Sequence, residues 1–314
     1  MPWCDLREFL NFLEEKGLLK RVKKEVDVKY EIASMIRETC DVQGPCLFFE
    51  NVKGYEMPVV GGVFATRQRV LLALEAEQSN VIERFLRGID NPIEPKTVKS
   101  GPCQEVEFIG EEVDLNKLPI LYHYKEDGGA YITSGVAIAK HPETGYKNLS
   151  IHRMMLKGRD KLGFYIASRD RHIWSFLTAA EKRQEPLEIA IAIGVEPVVC
   201  IASQIKTSRE KYELSIAGGL RGQPVETVKC RTIDLEVPST SEIVIEGEMI
   251  PNVRESEGPF GEYTGYYSKV SQSPVVKVKA ITHRENPYLS GSVDWDAYNR
   301  KPYAKTDTVR SSTI

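Results

Sequence analysis

Between residues 105 and 283 turn-forming residues recur at short intervals, and most of the segments between them suit strands better than helices. Strands are predicted over 130–140 and 147–156, joined by the turn Pro142-Glu143-Thr144-Gly145, and near 162–166 after Gly158-Arg159-Asp160. A hairpin is expected over 105–109 and 112–114 about Gly110. The apolar runs 187–193 and 198–202 read as buried strands, and 225–230, 232–237, 242–250 and 275–283 add four more. Helices are expected over 173–182 and over 208–217, the latter ending at Gly218-Gly219. So many strands in one unit predict a β-barrel or strongly bent sheet, because closing a sheet removes its exposed edges.

The preceding hundred residues read differently. Asp5 with Glu8 three residues on, then Leu6, Phe9, Leu10 and Leu13 on one stripe, predict a capped amphipathic helix over 5–16 that stops at Gly17. A strand over 18–28, a helix over 31–40, strands over 46–52 and 58–63, and helices over 67–77 and 80–86 complete an N-terminal α+β unit, 1–100. Pro92, Pro95 and the lysines of 90–100 mark its boundary with a second unit, 101–298. Residues 299–314 are polar and aperiodic, and read as a cut end that begins a linker.

Composition narrows the partners. The 314 residues carry a net charge of −3, with acids and bases interspersed, which gives no nucleic-acid footprint. Six scattered cysteines without a Cys-x-x-Cys pair predict reduced thiols and a cytoplasmic protein. No signal peptide is read at Met1-Pro2-Trp3, and no apolar run reaches the roughly 18 residues of a membrane span.

The chemistry-bearing residues are few. Glu257 and Glu262 flank Gly258-Pro259-Phe260-Gly261, in which proline fixes one φ and glycines open conformations closed to other residues. Five residues apart, the two acids reach one space only across a sharp turn; spacing alone favours two solvated acids beside a structural turn. On a strand, Asn148, Ser150 and His152 share one face, and Leu149, Ile151 and Arg153 the other. That polar face fits a barrel interior or a wet edge strand equally well. Of five histidines, His172 stands out, following Arg169-Asp170-Arg171 at a helix start suited to an anion. Asn148, His172 and Glu213 together offer an amide, an imidazole and a carboxylate, a set suited to Mn²⁺ or Mg²⁺ rather than structural zinc. Dinucleotide and Walker signatures are missing.

Taken in order, Leu118-Pro119, Asp127-Gly-Gly-Ala-Tyr-Ile-Thr133, Asn148 to Arg153, Arg171-His172, Glu213 to Gly219, Ile243 to Glu248 and Gly258 to Tyr267 resemble the UbiD family of prenylated-FMN-dependent (de)carboxylases across nearly the whole chain. The resemblance implies a split β-barrel flavin-binding domain, flavin-reductase-like, behind the N-terminal α/β unit. It implies that Asn148, His172 and Glu213 bind manganese (or Mg²⁺) at the cofactor phosphate, with K⁺ nearby. Asn148, Leu149, Ser150, Ile151, His152, Arg153, Arg171, His172 and Glu213 would cradle prenylated FMN, and Arg153, Glu257 and Glu262 would form the catalytic set, with Glu262 as proton donor. The implied activity is reversible non-oxidative decarboxylation of an α,β-unsaturated or aromatic acid. A flavin prenyltransferase would supply the cofactor, and the C-terminal domain usual in the family, which this chain lacks, would support a homo-oligomer. The alternative is a non-catalytic flavin-binding subunit that needs a missing domain or partner.

Overall fold

The computed structural model describes residues 3–262 and 264–291, so the expected linker of 299–314 lies outside the described residues. The chain begins with α1 (Leu6–Glu15), β1 (Leu19–Val22), α2 (Glu31–Asp41), β2 (Cys46–Phe49), β3 (Val59–Gly61), α3 (Arg67–Ala73) and α4 (Val81–Asp90). There follow β4 (Lys96–Thr97), β5 (Val106–Ile109), β6 (Tyr131–Ile132), β7 (Val136–Lys140), β8 (Lys147–Ile151), β9 (Met154–Gly158) and β10 (Lys161–Phe164). Then come α5 (His172–Lys182), β11 (Leu187–Ile193), α6 (Pro197–Ala202) and α7 (Glu213–Arg221). The last elements are β12 (Glu226–Lys229), β13 (Glu236–Pro238), β14 (Ile243–Glu257), β15 (Ser271–His283) and β16 (Leu289–Gly291). The expected α+β class holds.

α1 forms as its spacing predicts. The Asp5 side chain accepts from the Glu8 N–H at 2.8 Å, the Glu8 carboxylate reaches back to the Cys4 N–H at 2.7 Å, and Leu6, Phe9, Leu10 and Leu13 are all buried. The first sheet has the order β1-β2-β3-β16, its last strand arriving from the far end of the chain to pair parallel with β3.

The large sheet runs β6-β9-β10-β15-β14-β11-β7-β8, with β5 also on β15. Its two ends are bridged by the backbone itself, since β6 leads into β7 through residues 133–135 and β8 into β9 through residues 152–153. So short a span of chain brings opposite ends of the sheet side by side, which curls it into a barrel split along one seam. The single strands expected over 130–140 and 147–156 are therefore each cut in two at this seam. One cause is visible at Gly135, where an added Cβ would lie 2.7 Å from Ile191 and 2.8 Å from Met154. The central strand β11 is buried on both faces: Leu187, Ile189, Ile191 and Ile193 join one core, and Ala190 and Ala192 join another with α6 and α7. Each large aliphatic side chain so buried contributes about 1.5–3 kcal/mol.

Three further expectations are corrected. The run 198–202 is helix α6 rather than a strand, because Pro197 occupies a first-turn position and a short apolar run has no periodicity to separate buried helix from strand. The predicted hairpin about Gly110 does not form; β5 pairs with β15 instead, and Gly110–Glu112 is a 3-10 turn. Helix α7 starts at Glu213 and runs through Gly218-Gly219 to Gly222, whose φ of 79° makes the stop. The two interior glycines mark close approach instead of termination: a Cβ on Gly219 would sit 2.5 Å from the Asn91 carbonyl oxygen and 2.6 Å from that of Gly88, and one on Gly218 would strike the Ile93 carbonyl. Among the described residues no helix is long and apolar enough to cross a membrane.

Gly218→Ala should thus lower stability by about 1–3 kcal/mol through overpacking, and Gly222→Ala by about 1 kcal/mol through its left-handed φ. Urea unfolding of both variants checks this, and a wild-type midpoint for Gly218→Ala would contradict the close apposition of α7 to the Ile93 carbonyl.

Candidate active site

A cleft of about 580 Å³ opens at the seam. The barrel lines it with Ile151, His152, Arg153 and Tyr165, the N-terminal unit with Gly62 to Ala65, and the turn after β14 with Phe260, Gly261 and Glu262. The N-terminal wall is held by Arg69, a guanidinium 1% exposed that donates to the carbonyls of Val63 (3.0 Å), Gly44 (2.7 Å) and Gly62 (2.8 Å).

At one end of the cleft stands Arg153, placed in the two-residue gap between β8 and β9. Strand alternation therefore stops at Ile151, and the opposed faces expected for Asn148 and Arg153 do not extend to Arg153. Its Nε and Nη2 donate to the two oxygens of Glu257 at 2.9 and 2.8 Å, Nη2 also reaches Ser268 Oγ at 3.0 Å, and Nη1 contacts Glu262 Oε1. The Tyr165 ring lies beneath the guanidinium with its centroid 3.7 Å from Cζ. The turn thus brings both acids to Arg153, as a site requires and as solvated acids would not be. They differ in freedom, since the side chain of Glu257 is fully buried and that of Glu262 is 31% exposed.

The turn itself is specified by its residues. Gly258 has a φ of 92° and precedes a cis peptide to Pro259. Ser268 closes the loop with both of its polar groups, its N–H donating to Phe260 O at 2.9 Å and its Oγ accepting from Phe260 N at 3.1 Å. Tyr263 lies outside the described residues.

Asn148, His172 and Glu213 also converge. Asn148 Nδ2 is 2.9 Å from Glu213 Oε1 and 3.5 Å from His172 Nδ1, and His172 Nδ1 lies 3.9 Å from the same carboxylate oxygen. Glu213 is 3% exposed, and among the described residues no Lys or Arg forms an ion pair with it. Burial pushes its carboxyl up to about 7, against the hydrogen bonds it accepts from Leu149 N and Asn148. Burial likewise holds His172 below the ordinary imidazole value, with Arg209 and Arg171 adding to the effect. A buried carboxylate beside a neutral imidazole and an amide, with no basic side chain to balance it, is a donor set that fits a divalent cation. Among the described residues no cluster of three or more His, Cys, Asp or Glu offers an alternative metal site.

The other expected cofactor residues divide. Ile151, His152, Arg153 and Arg171 face the cleft, whereas the Leu149 side chain is fully buried in the second core and only its N–H, bonded to Glu213 Oε2 at 2.8 Å, points toward the metal set. Ser150 Oγ links Asn148 Oδ1 to His152 Nε2, both at 3.0 Å, and His152 Nδ1 is 3.0 Å from the Tyr165 carbonyl. Burial pushes His152 down to about 4, so the imidazole stays neutral. Sequence reasoning assigned no role to Arg69, Tyr165, Ser268 or Asp127. Only Asp127 carried a signal, its Asp-Gly-Gly run.

Residues 96–295 match the UbiD domain described as the 3-octaprenyl-4-hydroxybenzoate carboxy-lyase Rift-related domain, and residues 10–89 match the corresponding N-terminal domain. An evolved dimeric form of the UbiD-class enzyme HmfF from Pelotomaculum thermopropionicum, solved in complex with prFMN, is 44% identical with a TM-score of 0.90, over 94% of this chain and 69% of that one. The closed form of vanillic acid decarboxylase from Sedimentibacter hydroxybenzoicus is 34% identical with a TM-score of 0.90, over 95% of this chain and 66% of that one. The uncharacterized protein sll0936 of Synechocystis sp. (strain ATCC 27184 / PCC 6803 / Kazusa) is 34% identical over 91% of this chain and 62% of its own length. This chain therefore spans between 62% and 69% of these relatives. Both of its domain matches, and the fold they share with solved UbiD-class enzymes, place it in the UbiD family of carboxy-lyases.

Proposed function

We propose that this protein is a reversible non-oxidative decarboxylase of an α,β-unsaturated or aromatic carboxylic acid, working with prenylated FMN. The observation that carries this reading is the Arg153–Glu257–Glu262 cluster, built into a cleft of about 580 Å³, a size within the roughly 300–1,000 Å³ common for ligand pockets. When bound there, prenylated FMN supplies the electron sink for the density left on carbon as CO₂ departs.

The chain's own residues have separate tasks. Glu257 holds Arg153 by a two-point contact, so the guanidinium cannot rotate away, and its positive charge faces the place where a substrate carboxylate would lie. Glu262, the more exposed acid, leaves Arg153, takes up a proton from solvent and delivers it to the carbon that has lost CO₂; in the carboxylating direction it removes the proton from that carbon and returns it to solvent. Asn148, His172 and Glu213 would hold Mn²⁺ or Mg²⁺, with K⁺ nearby, and the divalent charge would balance that of the cofactor phosphate. His152 stays neutral and spaces these ligands from Arg153. The cofactor comes from a flavin prenyltransferase.

Glu262→Gln should lower CO₂ release and solvent-deuterium exchange at the reacting carbon by about 10²–10⁴-fold, with flavin absorbance retained. Turnover at the wild-type rate sinks the assignment of Glu262. If the wild-type chain retains the cofactor and decarboxylates only after a second chain is added, the subunit reading replaces this one. Arg153→Ala leaves the fully buried Glu257 uncompensated and should cost about 3–5 kcal/mol of stability, read by urea unfolding.

A further inference from the structure

The Asp127-Gly128-Gly129-Ala130-Tyr131 run has no part in the chemistry just described, yet it is the surface on which the Glu262 turn is moulded. Asp127 Oδ1 accepts from the Gly261 N–H at 3.0 Å and Oδ2 from the Tyr124 N–H at 2.9 Å. Gly128 N–H donates to the Pro259 carbonyl at 2.8 Å, and the Tyr131 hydroxyl accepts from the Gly258 N–H at 3.1 Å. Three of the four residues from Gly258 to Gly261 thus have a backbone group tied to this run. The fourth, Phe260, is held by its ring, whose centroid lies 4.5 Å from that of the fully buried Tyr131.

The two segments also exclude side chains from each other. A Cβ at Gly128 would strike the Gly258 carbonyl, and one at Gly261 would strike the Tyr124 ring. Asp127 differs from the other contacts because it grips the peptide N–H immediately before Glu262. It does so at a desolvation cost: burial pushes its carboxyl up to about 6, and the backbone N–H groups of Gly261, Tyr124 and His123 act against that rise. A solvated loop acid would bear no such cost.

We infer that Asp127 is a positioning residue for the proposed reaction, fixing the backbone from which Glu262 reaches the cleft by clamping the Gly261 N–H. The inference rests on the decarboxylase reading, since a position for Glu262 matters only if Glu262 moves the proton. A displacement of about 1 Å at a reacting group is enough to cost on the order of 10²-fold in rate.

The test compares wild type, Asp127→Ala and Asp127→Asn, each co-produced with a flavin prenyltransferase. Asparagine keeps one oxygen acceptor for Gly261 but sets an amide N–H₂ against Tyr124 N, so it should restore part of the clamp. Hydrogen–deuterium exchange by mass spectrometry should show faster exchange in the peptide covering 258–268 in Asp127→Ala, partial restoration in Asp127→Asn, and no change in the β11 peptide. Decarboxylation kcat should fall about 10²-fold in Asp127→Ala, with KM and flavin absorbance near wild type and a partial return in Asp127→Asn. Wild-type exchange at 258–268 in Asp127→Ala overturns the clamp, and so does an unaltered kcat. Loss of flavin and faster exchange throughout both variants assign Asp127 to the fold at large and overturn the positioning role. If even the wild type releases no CO₂, the decarboxylase reading fails, while the exchange comparison still decides whether Asp127 holds the turn.

Discussion

The buried contact between Arg153 and Glu257 is what makes the seam of the barrel usable as a site. Residues 152 and 153 lie between β8 and β9, where the Arg153 carbonyl accepts from the Tyr165 N–H at 3.2 Å but the long arginine side chain needs a partner of its own to fix its direction. A fully buried carboxylate at the end of β14 is that partner, through two parallel hydrogen bonds. As a source of stability such a pair is a poor choice, because removing both charges from water offsets most of their attraction. What it secures is direction: the guanidinium is locked against Tyr165 and Ser268, and its Nη1 is aimed at the more exposed acid, Glu262.

Around that fixed cation the cleft is assembled from distant parts of the chain. The N-terminal unit supplies a wall whose backbone is fastened by Arg69, a charge with three carbonyl partners. Helix α7 supplies Glu213 from its first turn, and Gly218 and Gly219 let α7 settle closely on α4 and on the segment 91–93 that follows it. Packing far from the cleft thereby reaches the proposed metal ligands through the helix register.

Much of this was legible in the residues. The stripe of α1 and the buried run of β11 followed from spacing, whereas the meeting of Glu257 and Glu262 at Arg153 was left open by spacing and expected only from the family resemblance. What escaped was decided by tertiary contact. The seam splits two apparently continuous strands, and at one of the two breaks Gly135 is pressed between Ile191 and Met154, partners unknown until the sheet has curled. Gly218-Gly219 reads as a helix stop in sequence, since glycine is the common terminator; that these glycines instead admit a neighbouring backbone depends on α4. The apolar run of α6 carries no periodicity, so its helical state is set by what covers it. Arg69 gave no sign because its partners are backbone carbonyls, which no residue type announces.

The return of β16 to the first sheet has a consequence for how the protein is made. Until residues 289–291 emerge from the ribosome, β3 presents a bare edge, and the N-terminal unit, although synthesised before them, lacks this strand. Unpaired edges invite pairing with other chains during that interval. The order of synthesis and the order of completion are therefore opposed, and β3 waits for most of the described chain before its second neighbour arrives.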